Sequence, residues 1–291
     1  MVAVTGTLTL RAELAAAVES LTSAGVPTPR VDAEWLLAGV LGVGRLAARL
    51  ILDQPVSEPV AARYRAAVGR RARREPLQRV LGWEGFRGLT IGLTADVLVP
   101  RPETEALAQW ALELLPPPRD GRRPLAVDVG TGSGCIACAL AAERPDVDVL
   151  ALDVSPAAAA VARDNAVTLS LAGRVRVVVG DLLDAFGAGR ADLVVSNPPY
   201  CPSALLAEFE PEVRLHEPRV ALDGGPDGLA LTRRIVGAAR GALRPSGALV
   251  LETAGGAQSP AVVHLMRAAG FREITVGADL AGVDRFVVGK A

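Results

Sequence analysis

"LAVDVGTGSGCIACALAA", residues 125–142, decides the fold. Its apolar first residues read as a strand, Gly130-Thr131-Gly132-Ser133-Gly134 as a turn, and the alanine-rich remainder as a helix. Glycines in such a turn reach positive φ and let backbone N–H groups approach a ligand at a helix N-terminus. A tight turn with purely structural glycines gives the same pattern, so the motif needs support from elsewhere in the chain. Asp153 supplies some of it. It closes the next apolar run, "VDVLALDV" (147–154), where an acidic side chain can accept hydrogen bonds from ribose hydroxyls. Glycine turn and aspartate together point to an adenosine-containing ligand.

Downstream, short apolar runs continue to alternate with helical segments: "RVRVVVGD" (174–181), "ADLVVSN" (191–197), "GALVLETA" (247–254), "FREITVG" (271–277) and "DRFVVGK" (284–290). Strands separated by helices and apolar on both faces predict an α/β fold, a doubly wound and mostly parallel sheet. Upstream the pattern changes. From Leu8 to about Arg74 apolar residues recur at three- and four-residue spacing, as in Leu14, Val18 and Leu21, with breaks at Gly25-Val26-Pro27 and Gln54-Pro55. "QRVLGWEGFRGLTIGL" (78–93) alternates β-branched and aromatic residues with glycines and reads as a hairpin. "RPETEALAQWALELL" (101–115) returns to helix, with Pro102 suited to an early helical position. The expected organisation is a helical N-terminal domain over 1–76, a β-hairpin connector over 77–100 and a catalytic domain over 101–291.

Composition narrows the function. The 291 residues are 50% hydrophobic and 22% charged, with net charge -1, which gives no whole-chain footprint for a nucleic-acid partner. Lys290 is the single lysine, so the arginine content carries little functional information. The N-terminus "MVAVTGTLTLRAEL" lacks a basic region followed by an apolar run, and no stretch approaches the roughly 18 apolar residues of a membrane span. Three cysteines without framework spacing fit a reducing compartment. These features predict a cytoplasmic protein without a membrane or an obligate nucleic-acid partner; a monomer is the expectation, though no feature of the sequence carries it.

NAD and S-adenosylmethionine both satisfy the glycine turn and Asp153. No second glycine fingerprint and no hydride-transfer constellation follows, which favours S-adenosylmethionine. Asp181, after the third strand, stands where its carboxylate could accept from an adenine amino group, although a solvated turn aspartate is the simpler reading. The stretch "DLVVSNPPYC" (192–201) adds the chemistry. An amide or exocyclic nitrogen has a delocalised lone pair and is a poor nucleophile. The Asn197 side-chain carbonyl and the Pro198 main-chain carbonyl can each accept one proton of an NH2 group and so aim the nitrogen. Pro198 and Pro199 stiffen the backbone, and Tyr200 offers a flat face to a planar group.

These motifs, with "REPLQRVLGWEGFRGL" (74–89), "VLVPRPETEAL" (97–107), "EVRLHEPRVALDGGPDGL" (212–229) and "DLAGVDRFVVGK" (279–290), resemble the release-factor glutamine methyltransferase family over nearly the whole chain. The resemblance implies a seven-stranded class I methyltransferase domain of Rossmann-like topology, and a helical N-terminal domain that helps bind a peptide chain release factor. It also implies methyl transfer from S-adenosylmethionine to a glutamine side-chain amide, leaving S-adenosylhomocysteine. The cofactor contacts it implies are Asp128, Gly130, Thr131, Gly132, Ser133, Gly134, Asp153, Val154, Asp181, Leu182 and Asn197. Arg101, Pro102 and Glu103, with Asn197, Pro198, Pro199 and Tyr200, are the implied substrate contacts, the last four being catalytic. Two departures stand out: "LETAGGAQ" (251–258) replaces a shorter acidic-glycine turn, and Cys201 stands where an apolar residue is usual. Aspartate is not uniform in the family at position 181.

Other signals carry less. Cys135 and Cys138 have C-x-x-C spacing but lie on a helix expected to be buried, with two histidines elsewhere, and no metal site is expected. Arg70, Arg71, Arg73 and Arg74 read as a solvated helix end, with a partner-binding edge as the alternative. Asp223-Gly224-Gly225 and Asp227-Gly228 read as turns. The rivals are a methyltransferase for a ribosomal-protein glutamine, one for exocyclic amines of nucleic acid, and a noncatalytic binding module.

Overall fold

The computed structural model describes residues 8–184 and 186–291, so the first seven residues, part of the N-terminal stretch read above, lie outside it. It opens with helices α1 (Leu10–Ser23), α2 (Pro29–Leu41), α3 (Arg45–Leu50), α4 (Glu58–Ala72) and α5 (Leu77–Leu81), then strands β1 (Trp83–Phe86) and β2 (Leu89–Gly92). There follow α6 (Pro102–Leu114), β3 (Leu125–Val129), α7 (Cys135–Glu143), β4 (Asp148–Asp153), α8 (Pro156–Thr168), β5 (Val175–Val179) and β6 (Ala191–Ser196). The chain closes with α9 (Pro211–His216), α10 (Ala230–Ala242), β7 (Leu243–Glu252), α11 (Gln258–Ala268), β8 (Arg272–Ala278) and β9 (Asp284–Lys290). The chain divides into two units, one of residues up to Gly82 with Glu210–His216, the other of Trp83–Phe209 with Glu217–Ala291.

In the helical unit the three- and four-residue spacing does what it predicts. Leu10, Leu14, Leu21, Leu36, Leu37 and Val68 form one apolar core with Tyr64, whose hydroxyl donates to the Ala33 carbonyl at 2.9 Å. The Thr9 hydroxyl accepts from the Ala12 N–H and starts α1, and Gly42, left-handed at φ 68°, ends α2. The basic run is a solvated helix end only in part, with Arg73 exposed. Arg71 is buried and pairs with Asp32 at 2.7 Å and Glu212 at 2.9 Å; Arg74 pairs with Glu212 at 2.6 Å, and Arg70 pairs with Glu75. Against the upward push of burial, the Arg74 and Arg71 guanidiniums and the Glu212 backbone N–H hold the Glu212 carboxyl down at about 2. Glu212 lies far along the chain, and local charge patterning could not reveal it.

The second unit carries a hairpin, β1 against β2, and a seven-stranded sheet of order β5-β4-β3-β6-β7-β9-β8. The first five of these strands run parallel, and β9 is antiparallel to both β7 and β8. Connections from β3 lead outward to β4 and β5, whereas β6 returns to the other side of β3. That reversal opens a crevice at the carboxyl ends of β3 and β6, where open α/β sheets bind ligands. Helices cover both faces. One core cluster gathers Leu107, Ile136, Leu140 and Phe286, the other Val127, Ile235, Leu249 and Met266. The expectation of strands buried on both faces fails at the edges: Val178 and Val179 of β5 are exposed, because the described residues between β5 and β6 form no helix to cover them.

Candidate active site

The turn after β3 is built as its glycines require. Gly130, Gly132 and Gly134 have φ of 71°, 55° and 79°. A Cβ at Gly130 or Gly132 would meet no protein atom within 4 Å, whereas one at Gly134 would lie 3.0 Å from the Ala162 Cβ. The first two therefore leave room for a ligand, and the third lets α7 approach α8. Asp153 fixes the turn, its two oxygens accepting from Gly132 N–H at 2.8 Å and Ser155 N–H at 2.9 Å. Lone pairs on both oxygens remain for a ribose.

Asp128 sits underneath. It is fully buried and accepts from Thr131 Oγ1 at 2.6 Å and Ala137 N–H at 3.2 Å, while its Oδ1 has no partner among the described residues. Burial pushes this carboxyl up to about 7. Thr131 and Ser133 are buried too, so these side chains brace the turn from within. Burial likewise pushes the Cys135 and Cys138 thiols up to about 12, and among the described residues no His, Cys, Asp and Glu cluster could hold a metal.

Gly130, Gly132, Asp153, Val154, Asp181, Leu182 and Asn197 line one cavity of about 120 Å³. Val154, 54% exposed, gives it an apolar wall. Asp181 is exposed and pairs with Arg234 at 2.9 Å. A larger cavity of about 520 Å³ opens elsewhere among Arg122, Arg174, Arg176 and Arg190, and contains neither the glycine turn nor Asn197. Volume alone would choose the wrong one; donor chemistry selects the smaller.

At the end of β6, Ser196 Oγ donates to the Val129 carbonyl at 2.6 Å and ties the strand to β3. Asn197 Nδ2 then donates to Thr104 Oγ1 at 3.0 Å, and Thr104 Oγ1 donates to Glu252 Oε2, also at 3.0 Å. The Tyr200 hydroxyl donates to Glu252 Oε1 at 3.4 Å. Glu252 is 1% exposed, and burial pushes its carboxyl up to about 7. Among the described residues, Asn197 Oδ1 and the Pro198 carbonyl accept no hydrogen bond from the protein. These are the two acceptors that aiming an NH2 group requires.

Asn197, Pro198 and Tyr200 line a second, smaller cavity of about 50 Å³ with Leu98, Arg101 and Ala221. Asn197, Leu98 and Ala221 also line the glycine-turn cavity, so the two hollows share a wall, while Pro199 faces the glycine-turn side alone. Arg101 pairs with buried Glu217 at 3.3 Å. Pro102 starts α6 and Glu103 lies in its first turn; neither lines these cavities.

The start of α11 and the turns at Gly224 and Gly228 grip the motif from behind. Gln258 Nε2 donates to the Tyr200 carbonyl at 2.8 Å, and Gly224 N–H to the Cys201 carbonyl at 2.8 Å. A Cβ on Gly228 would stand 2.2 Å from the Tyr200 oxygen, and one on Gly224 2.6 Å from the Pro199 oxygen. Only glycine fits at either. The unusual 251–258 segment thus supplies Glu252 and Gln258, both overlooked in the sequence, as were Thr104 and Arg234. One signal was present: an acidic residue closing the otherwise apolar buried run "GALVLE".

The chain is similar to known methyltransferases. Residues 13–82 match the PrmC N-terminal domain and residues 108–206 the Methyltransferase small domain. A release factor glutamine methyltransferase of Geobacter sulfurreducens is 42% identical over 270 residues, covering 93% of this chain and 92% of that protein. Its counterpart in Caulobacter vibrioides is 41% identical, covering 97% of this chain and 96% of that protein. In the human hMettl16 catalytic domain, solved with a MAT2A 3′UTR hairpin, the fold recurs at TM-score 0.56, with 19% identity and 81% of each chain covered. A methyltransferase of Pyrococcus furiosus gives TM-score 0.53 at 18% identity, covering 76% of this chain and 98% of that one. At these identities the structural likeness speaks for the fold alone.

Proposed function

We infer that this chain, which belongs to the release factor glutamine methyltransferase family, transfers a methyl group from S-adenosylmethionine to the side-chain amide nitrogen of a glutamine in a peptide chain release factor. The observation that carries the reading is the shared wall: Asn197 borders both the glycine-turn cavity and the slot at Tyr200, with Oδ1 and the neighbouring Pro198 carbonyl open. The open space above Gly130 and Gly132, with Asp153 and Asp181 among the three carboxylates facing the cavity, suits a ligand with a ribose and an exocyclic amine. When bound, S-adenosylmethionine supplies a methyl group on a positively charged sulfur.

The chain's own residues do the rest. Asp153 accepts from the ribose hydroxyls, Val154 and Leu182 flank the adenine, and the turn N–H groups approach the ligand's polar end. Asp128 holds the turn in shape. Asn197 Oδ1 and the Pro198 carbonyl each take one proton of the glutamine NH2, which draws the lone pair out of conjugation and turns it toward the cofactor side. The nitrogen gains a methyl group as the bond from that carbon to sulfur breaks, its electron pair staying on the sulfur, and the nitrogen releases one proton to water. Pro198 and Pro199 keep both acceptors in register, and Tyr200 walls the slot. The helical N-terminal unit contributes to recognition of the release factor.

The test offers purified release factor, ribosomal proteins and RNA side by side to the enzyme with labelled S-adenosylmethionine. Label in a release-factor glutamine and its absence from the other two is the expected result. Label in a ribosomal protein or in RNA alone would replace the substrate assignment.

A further inference from the structure

We propose that Glu252 is a positioning residue that, through Thr104, decides which end of the Asn197 side-chain amide faces the substrate. The proposal rests on the reading that Asn197 receives the substrate NH2. An asparagine side chain is nearly symmetric in shape but not in polarity. One orientation presents an acceptor, the other a second NH2 group that repels the first. Something must choose between them, and among the described residues Asn197 Nδ2 has a single protein partner, Thr104 Oγ1 at 3.0 Å.

A hydroxyl can donate or accept, so Thr104 alone chooses nothing. Its proton goes to Glu252 Oε2 at 3.0 Å, and an ionised carboxylate only accepts. With that proton committed, the Thr104 oxygen has lone pairs alone to offer, and it takes them to Nδ2. Asn197 Oδ1 is thereby left facing the slot. Protonation of Glu252 reverses the sequence: the neutral carboxyl can donate to Thr104, Thr104 can donate to Oδ1, and the amide turns its NH2 toward the substrate.

The surroundings permit that change near neutrality. Glu252 ends β7, buried, with Thr104 and Glu103 on α6, Tyr200 beyond β6 and Arg285 on β9 around it. Burial pushes its carboxyl up to about 7, against the hydrogen bonds from Thr104 and Tyr200 and the charge of Arg285, with Glu103 adding to the rise. Arg285 is itself paired with Asp279 at 2.6 Å. Among the described residues, the Thr104 hydroxyl donates to Glu252.

The experiment measures single-turnover methyl transfer between pH 6 and 9 in the full-length enzyme, with Asn197→Ala as reference. Wild-type rate should fall as pH drops through about 7, with cofactor affinity unchanged. Thr104→Val, which keeps the shape and removes the hydroxyl, should lower the rate constant about tenfold to a hundredfold with little change in KM, and Thr104→Ser should restore it. Glu252→Gln should lose the acid limb and, lacking a buried charge, melt no earlier than wild type at pH 8. A Thr104→Val rate within twofold of wild type, or an acid limb that survives in Glu252→Gln, would overturn the proposal. If Asn197→Ala is inactive while Thr104→Val and Glu252→Gln behave as wild type, only this inference fails. If Asn197→Ala is active, the reading of the slot fails with it.

Discussion

The ends of β3 and β6 face the same crevice but are made in opposite ways. The turn after β3 is nearly self-sufficient: three glycines, Asp128, Thr131 and the start of α7 come from one short stretch, and Asp153 from the adjacent strand completes it. The segment after β6 builds almost none of its own support. Thr104, Glu252, Gln258, Gly224 and Gly228 reach it from three other parts of the chain. A backbone cradle can be written locally because φ angles and N–H directions are local properties. An aimed side chain needs neighbours in three dimensions, and these come from wherever the topology delivers them.

The contrast sets the sizes of the expected effects. Gly228→Ala strikes the remote support hardest. A Cβ 2.2 Å from the Tyr200 oxygen, at φ 75°, forces that carbonyl and Gln258 apart. The loss expected is about 2–4 kcal/mol in stability and over about a hundredfold in turnover, while S-adenosylmethionine binding by the folded fraction stays near normal. Denaturant unfolding, calorimetry and single-turnover rates on one preparation check all three. Loss of cofactor binding would show that the two strand ends are not separable.

Next is Asp153→Ala on the local side. It removes the ribose acceptor and the anchor of the Gly132 N–H together, and cofactor affinity should drop about tenfold to a hundredfold, the scale of one charged hydrogen bond. Calorimetric titration decides it. Asp181→Ala should do least, under about threefold, because its carboxylate is exposed and engaged by Arg234, and surface pairs of this kind contribute little.

Both strand ends also bury an acid, Asp128 under one and Glu252 behind the other, each pushed up to about 7 by burial. A carboxyl whose folded value lies above its unfolded one favours folding fully below the unfolded value, and that contribution is lost as pH rises through the folded value. Stability should therefore decline from about pH 5 to 8, a fall in melting temperature on the order of 5 °C. Asp146, Glu212 and Asp227 lie at about 2 and act in the opposite sense, their contribution vanishing as pH falls below about 4. Scanning calorimetry across pH separates the two windows, and Glu252→Gln should flatten the neutral one.

What the sequence made legible follows the same division. Strand periodicity, the glycine turn and Asn197-Pro198-Pro199-Tyr200 are local patterns, and the fold and both motifs could be read from them. Thr104 was visible only as part of a quoted signature, and the 251–258 segment only as a departure from one, because their partners lie far along the chain. The arginine run was misread in part for the same reason: Arg71 and Arg74 find Glu212 in space, not in sequence.

The central claim is that Asn197 aims the substrate nitrogen and does little for the cofactor. Asn197→Ala isolates it, since the glycine turn and Asp153 are untouched. Single-turnover methyl transfer to the release factor, measured beside S-adenosylmethionine affinity and melting temperature, should show the rate down by at least about a hundredfold, with affinity within a few-fold and the fold intact. A near-normal rate, or a loss fully accounted for by weaker cofactor binding or by unfolding, would contradict the account.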